Sequence, residues 1–247
     1  MAKRRVRLRP DYDVKGKQVP VIYAMSPTLV PRPEDWADNI HMSGFCGMSA
    51  RWTTRLTRRW RSSCARATSR CIGFGSMVSG DMGELAEIIR QAVKLSGVRA
   101  VVALGWGQQE AKTKDANIFY VKSVPHDWLF PHMAGAVHHG GAGTTATSLR
   151  HALPTLVVPF GGDQPFWAER VYAAGCGPKA IPRDKLTAEN LAEGLRALIS
   201  NPEYTRNAAC IGEALRNEHG CANAADLIEK AVWDWENGNP AQDGMNI

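Results

Sequence analysis

The run Ala134-Gly135-Ala136-Val137-His138-His139, broken at once by Gly140-Gly141-Ala142-Gly143-Thr144-Thr145, constrains the fold of this chain more than any other stretch. Its short apolar part suits a buried parallel strand, and Thr144 to His151 can propagate a helix once the glycines have turned the chain. A strand feeding a helix through a tight turn is the repeating unit of an α/β sheet, and much of the remaining sequence repeats it. Asp81 to Ser96 places Leu85, Ile88, Ile89, Ala92 and Val93 on one helical face, with Asp81 as cap and Gly97 as stop. Val98 to Leu104, Ile118 to Val124 and Leu153 to Phe160 read as strands. Thr187 opens a helix carrying Leu191, Leu195 and Leu198, Asn201-Pro202 opens the next, and Ala222 to Trp235 forms the last. The pattern predicts a single Rossmann-like, doubly wound parallel sheet with an irregular amino-terminal extension.

The glycine turn also has a chemical use. Gly140, Gly141 and Gly143 leave backbone N–H groups uncovered at a helix start, where the dipole and the unpaired donors favour a phosphate. Thr144 and Thr145 add hydroxyls at the first turn, and His139 can donate to a diphosphate oxygen. A tight strand-to-helix connection needs glycine with or without a ligand, so the turn alone does not decide the matter. The loop Gly161-Gly162-Asp163-Gln164 follows the next strand, with Asp163 twenty-four residues after His139. Loops at the carboxyl ends of parallel strands open on one edge of the sheet. Asp163 and Gln164 suit a polyhydroxylated ligand, and the turn suits a diphosphate; together they point to a sugar nucleotide.

Three blocks carry a family resemblance: Val121-Lys122-Ser123-Val124-Pro125-His126-Asp127-Trp128-Leu129-Phe130-Pro131, the turn from His139 to Thr145, and Asp163-Gln164-Pro165-Phe166-Trp167. In order and spacing they resemble the donor-binding signature of family 1 glycosyltransferases, most closely the sterol 3-β-glucosyltransferases. The resemblance spans about Ile72 to Ala231, and more weakly Val19 to Phe45. It implies the carboxyl-terminal half of a GT-B fold, in which an amino-terminal domain holds the acceptor. It further implies that His139 and the backbone of Gly141, Ala142, Gly143, Thr144 and Thr145 hold the diphosphate of UDP-glucose. By the same analogy Asp163 and Gln164 bind glucose hydroxyls, Val124 pairs its backbone with uracil, and Gly75 and Ser76 close over the phosphates. Thr147 stands where plant members carry a ribose-binding glutamate, which leaves the ribose contact unassigned. No metal or other cofactor is implied. The acceptor-activating histidine of the family has no counterpart here, so the chain supplies no catalytic residue of its own and a sterol or other lipid acceptor requires an added acceptor domain.

The expected organisation is a basic leader and acceptor-domain remnant over residues 1–45, an arginine-rich segment over 46–71, a nucleotide-sugar-binding domain over 72–235 and a loose tail over 236–247. Arg51, Arg55, Arg58, Arg59, Arg61, Arg66 and Arg70 account for the net charge of +6, since without them the chain carries 23 basic and 24 acidic residues. Out-of-frame translation of an acidic linker is the favoured reading of this segment; a solvated linker and a basic surface for membrane or nucleic acid are the alternatives. A UDP-sugar-binding remnant without transfer, or an adaptor built on an unused fold, remain rival functions. The six cysteines show no zinc spacing and read as core or incidental thiols. No apolar run approaches the ~20 residues of a membrane span. The expected location is cytoplasmic with peripheral membrane contact, and nucleic acid is the least favoured partner. His138, alternating with His139, should face the other way and pack, while His126-Asp127 should cap a short helix.

Overall fold

The structure, a computed structural model, describes residues 18–47, 71–74, 82–103, 115–121 and 124–236. The basic leader, the arginine cluster, Gly75, Ser76, the expected cap Asp81 and residues 237–247 lie outside the described residues. The chain divides into two units, Gly47–Asn217 and a smaller one formed by Met1–Cys46 with Glu218–Ile247. The final helix thus groups with the amino-terminal segment, a division that chain order gives no hint of.

In the smaller unit β1 (Val21–Tyr23) and β2 (Ile40–Met42) pair in parallel, and α7 (Gly220–Glu236) closes the unit. Glu218 ties the two chain segments together: its Oε1 accepts from Ser26 Oγ at 2.5 Å and from Thr28 Oγ1 at 3.0 Å. Asn223 adds a bond from its amide to the Ser43 carbonyl at 2.9 Å. Cys46 and Cys221, far apart in sequence, share a thiol hydrogen bond here, which raises the pKa of the exposed Cys46.

The larger unit is built on five parallel strands, β3 (Cys71–Phe74), β4 (Arg99–Ala103), β5 (Ile118–Val121), β6 (Gly135–His138) and β7 (Thr155–Val157), in the order β5-β4-β3-β6-β7. The order reverses between β3 and β6, which is where open α/β sheets form a ligand crevice at their carboxyl ends. Period-two alternation assigns the faces. Ala100, Val102, Val137 and Leu156 meet Leu85, Ile89 and Val93 of α1 (Met82–Ser96) and Leu191, Leu195 and Leu198 of α5 (Ala188–Ser200) in one core cluster. Val101 and Ala136 face the other cluster, with Leu129, Phe130, Met133 and Leu153. Each fully buried leucine contributes about 2 kcal/mol by removal from water.

Local signals account for the helix ends. Gly97, at φ +70°, ends α1 with its N–H on the Val93 carbonyl. Thr187 and Asn190 form a reciprocal capping box at the start of α5. Asn201 Oδ1 accepts from the Glu203 N–H at the start of α6 (Pro202–Asn217). The expected capping by His126-Asp127 is corrected: α2 (His126–Leu129) has Pro125 at its N-cap and no side-chain cap bond. Asp127 instead pairs with His151 Nε2 at 3.2 Å. A carboxylate already inside the first turn is placed to meet the dipole, while the fixed φ of the preceding proline sets the helix entry.

Candidate functional site

The strand β6 ends at His138, and α3 (Ala142–Arg150) begins with Gly141 as its N-cap and no side-chain cap. Gly140 makes the turn at φ +90°, and a Cβ there would lie 2.5 Å from Val157 Cγ1 and 3.1 Å from the Gln164 carbonyl oxygen. Only glycine meets both demands. The same contact shows that the turn after β6 and the loop after β7 touch, as expected from the pairing of His138 with Val157.

The first free donors of α3 are the N–H groups of Ala142, Gly143 and Thr144, which have no intrahelical acceptor. Thr145 N–H is already spent on the Gly141 carbonyl at 2.9 Å, and no acidic side chain sits in the first turn to balance the dipole. A Cβ on Gly143 would meet nothing within 4 Å. Neither φ nor packing therefore requires glycine there, and the space over the helix start is open. The side chain of Thr145 points the other way: it is fully buried and its hydroxyl has no partner, so it does not line this opening. Thr147, at the position of the missing glutamate, closes its hydroxyl on the Gly143 carbonyl at 2.8 Å.

The two histidines divide as their alternation predicts. His138 is fully buried, and desolvation pushes its pKa down to about 3. His139 is half-buried; burial lowers its pKa, while Asp163 acts in the opposite direction. That coupling places the carboxylate of the second loop near the imidazole of the first. His139 Nδ1 is buried without a partner, whereas Nε2 lies where a Gly141 Cβ would be, 2.5 Å from that position. A buried N–H with no acceptor costs more than a buried lone pair, so the neutral ring carries its proton on Nε2, beside the free N–H groups.

The second loop holds itself. Gln164 Oε1 accepts from the N–H of Phe160 at 2.6 Å and of Gly161 at 3.2 Å, which fixes the amide orientation and leaves Nε2 as donor. Asp163 Oδ2 accepts from Trp167 Nε1 at 2.8 Å, leaving Oδ1 for a ligand. Gln164 opens a helix, α4 (Gln164–Ala173), with Pro165 in its first turn. The loop expected over Gly161 to Gln164 therefore ends one residue earlier, since Asp-Gln-Pro, a cap followed by proline, starts a helix. Val124 is half-buried against the Leu129 cluster, two residues before His126, whose charge lowers the pKa of His138 after burial and His139. Among the described residues no group of three His, Cys, Asp or Glu side chains is placed to hold a metal ion.

A sterol 3-beta-glucosyltransferase of Arabidopsis thaliana is 36% identical over 236 residues, covering 92% of this chain and 38% of that protein. The chain therefore spans less than two fifths of the length of the curated relative it matches. The glycosyltransferase of kitacinnamycin superposes with a TM-score of 0.69 at 22% identity, over 87% of this chain and 55% of its own, a likeness of fold. The glycosyltransferase VinC, solved in complex with dTDP, superposes with a TM-score of 0.54 at 25% identity, over 67% of this chain and 42% of its own. These folds are the carboxyl-terminal domains of GT-B glycosyltransferases, matching the parallel sheet described above. Residues 87–228 match the family described as erythromycin biosynthesis protein CIII-like, C-terminal domain, and the chain belongs to it.

Proposed function

We propose that this chain is the nucleotide-sugar-binding half of an inverting glycosyltransferase, taking UDP-glucose as donor and serving a sterol or similar lipid hydroxyl as acceptor. The observation that carries the reading is the open, uncapped start of α3, joined through Gly140 and His139 to the loop of Asp163 and Gln164. Three free backbone donors and His139 Nε2 suit a diphosphate, and a carboxylate oxygen with an amide donor suits sugar hydroxyls. The dTDP complex of VinC and the sterol-glucosylating relative support the donor class and the acceptor class respectively.

In the reaction, a base outside this chain removes the proton of the acceptor hydroxyl. The alkoxide forms a bond to the anomeric carbon while the bond to the β-phosphate oxygen breaks, and UDP leaves with the electron pair. Negative charge grows on the diphosphate, where fixed N–H donors need no reorganisation to receive it. Asp163 and Gln164 hold the sugar so that its anomeric carbon faces the acceptor. Neutral His139 stabilises the leaving group as a hydrogen-bond donor.

Titration calorimetry of the full chain with UDP-glucose tests the binding step. Saturable binding that UDP competes for and free glucose does not is expected; no saturable heat would sink the reading. Transfer of labelled glucose to cholesterol is expected when an acceptor domain is supplied in trans. Binding without transfer under those conditions would favour a UDP-sugar-binding remnant.

A further inference from the structure

His139 has a use in the reading above, but its neighbour does not, and it is the better-organised of the two. His138 has no exposed surface, yet both its nitrogens are partnered. Nδ1 accepts from the Gly140 N–H at 3.0 Å, and Nε2 lies 3.1 Å from Ser148 Oγ. Ser148 Oγ in turn donates to the Thr145 carbonyl at 3.0 Å, and Thr155 Oγ1 approaches it at 3.2 Å. The proton positions follow from the inventory of donors. A backbone N–H can only donate, so Nδ1 bears the lone pair, the proton sits on Nε2, and Ser148 receives it. Protonating Nδ1 would set donor against donor in a dry site, in keeping with a ring pushed down to a pKa of about 3.

Gly140 needs such a clamp. Without a Cβ it can adopt many backbone orientations, and it joins the strand to the first free donors of α3. We propose that His138 is a positioning residue for the donor diphosphate: by binding the Gly140 N–H inward and α3 through Ser148, it leaves the N–H groups of Ala142, Gly143 and Thr144 aimed at the ligand. This rests on the reading of the turn as a diphosphate site. His138 itself never touches the ligand.

The test uses the full chain, calorimetry with UDP-glucose, and thermal unfolding of the same samples. In His138→Asn the amide oxygen can still accept from Gly140 but the side chain is too short to reach Ser148; in His138→Leu both bonds go. The expected result is a loss of affinity of about tenfold or more for His138→Leu, the equivalent of one good hydrogen bond, and a loss within about threefold for His138→Asn. Both variants should unfold at lower temperature, because both lose the Ser148 bond. Rescue of binding without rescue of stability separates positioning from mere packing. If His138→Leu does not fold, His138→Gln replaces it, since its carbonyl reaches past Gly140, and the same loss is expected. In the unmodified protein, two-bond 1H–15N correlation should find the His138 proton on Nε2. Near-native binding by folded His138→Leu, an equal loss in His138→Asn, or a proton on Nδ1 would each overturn the proposal while leaving the donor reading intact. Absence of UDP-glucose binding by the unmodified chain would instead remove the donor reading, and this proposal with it.

Discussion

The turn after β6 and the loop after β7 lie side by side, yet they are held by different chemistry. The turn is held from beneath, by a buried imidazole that grips Gly140 and passes its own proton to Ser148. The loop is held from within, by the Gln164 carbonyl that collects the N–H groups of Phe160 and Gly161. In each case internal bonds consume some of the polar groups and the others are left for a ligand. The turn is left with donors only, suited to an anion. The loop keeps one carboxylate oxygen and one amide N–H2, suited to hydroxyls. The contrast also separates their sensitivities, because an imidazole titrates and an amide does not.

Acid should expose this difference most strongly. His138 has a folded pKa of about 3 against an ordinary 6.5, so between those values the unfolded chain binds a proton that the folded chain refuses. The stability contributed by the neutral ring is present above 6.5 and is lost as the pH falls toward 3. Within that window the slope approaches about 1.4 kcal/mol per pH unit. Urea unfolding at a series of pH values should show the slope in the native chain and a shallower one in His138→Asn; identical slopes would show that His138 is not the group responsible.

Removing the His139 donor comes next. His139→Ala should weaken UDP and UDP-glucose alike, by about tenfold to a hundredfold, because the bond lost is to the charged diphosphate. Gln164→Ala should weaken UDP-glucose while leaving UDP nearly unchanged, and should cost about 0.5–1.5 kcal/mol of stability by removing the bonds to the Phe160 and Gly161 N–H groups. If calorimetry finds that both variants affect UDP equally, the division between the two loops is wrong. The smallest effect is expected at Gly143. Since a Cβ there meets nothing, Gly143→Ala should raise stability by up to about 1 kcal/mol through helix propensity, yet bind UDP-glucose more weakly because the methyl enters the ligand's space. Tighter binding would mean that the opening over α3 is not where the diphosphate sits.

Much of the larger unit was legible in the sequence because its signals are local. The helix of Leu191, Leu195 and Leu198 starts at Ala188 just after Thr187, Asn201-Pro202 opens α6, and Gly97 ends α1, since caps, stops and periodicity depend on residues within a turn of each other. The strand within Leu153 to Phe160 is Thr155–Val157, shorter than its apolar run, although the Pro154 carbonyl and the Val158 N–H on either side still bond to β6. The opposite facing of His138 and His139 followed from alternation alone. Thr145 did not, because the first turn of α3 wraps so that Gly143 faces the opening and Thr145 the interior, and the phase of that rotation is set by how the turn meets the strand.

Sequence by itself determined that residues 134–151 make a strand, a glycine turn and a helix with unspent donors, since backbone sterics and hydrogen-bond accounting act within a few residues. It also carried the family to which the chain belongs. Only the tertiary structure decided what those donors face. The parallel pairing of β6 with β7 sets Gly140 against Gln164, and burial lowers the pKa of both imidazoles. It likewise brought Cys46 to Cys221 and recruited Ser148 as the proton acceptor of His138. The physical reason is the same throughout: desolvation and contact between distant segments depend on how the layers pack, and no spacing along the chain encodes them.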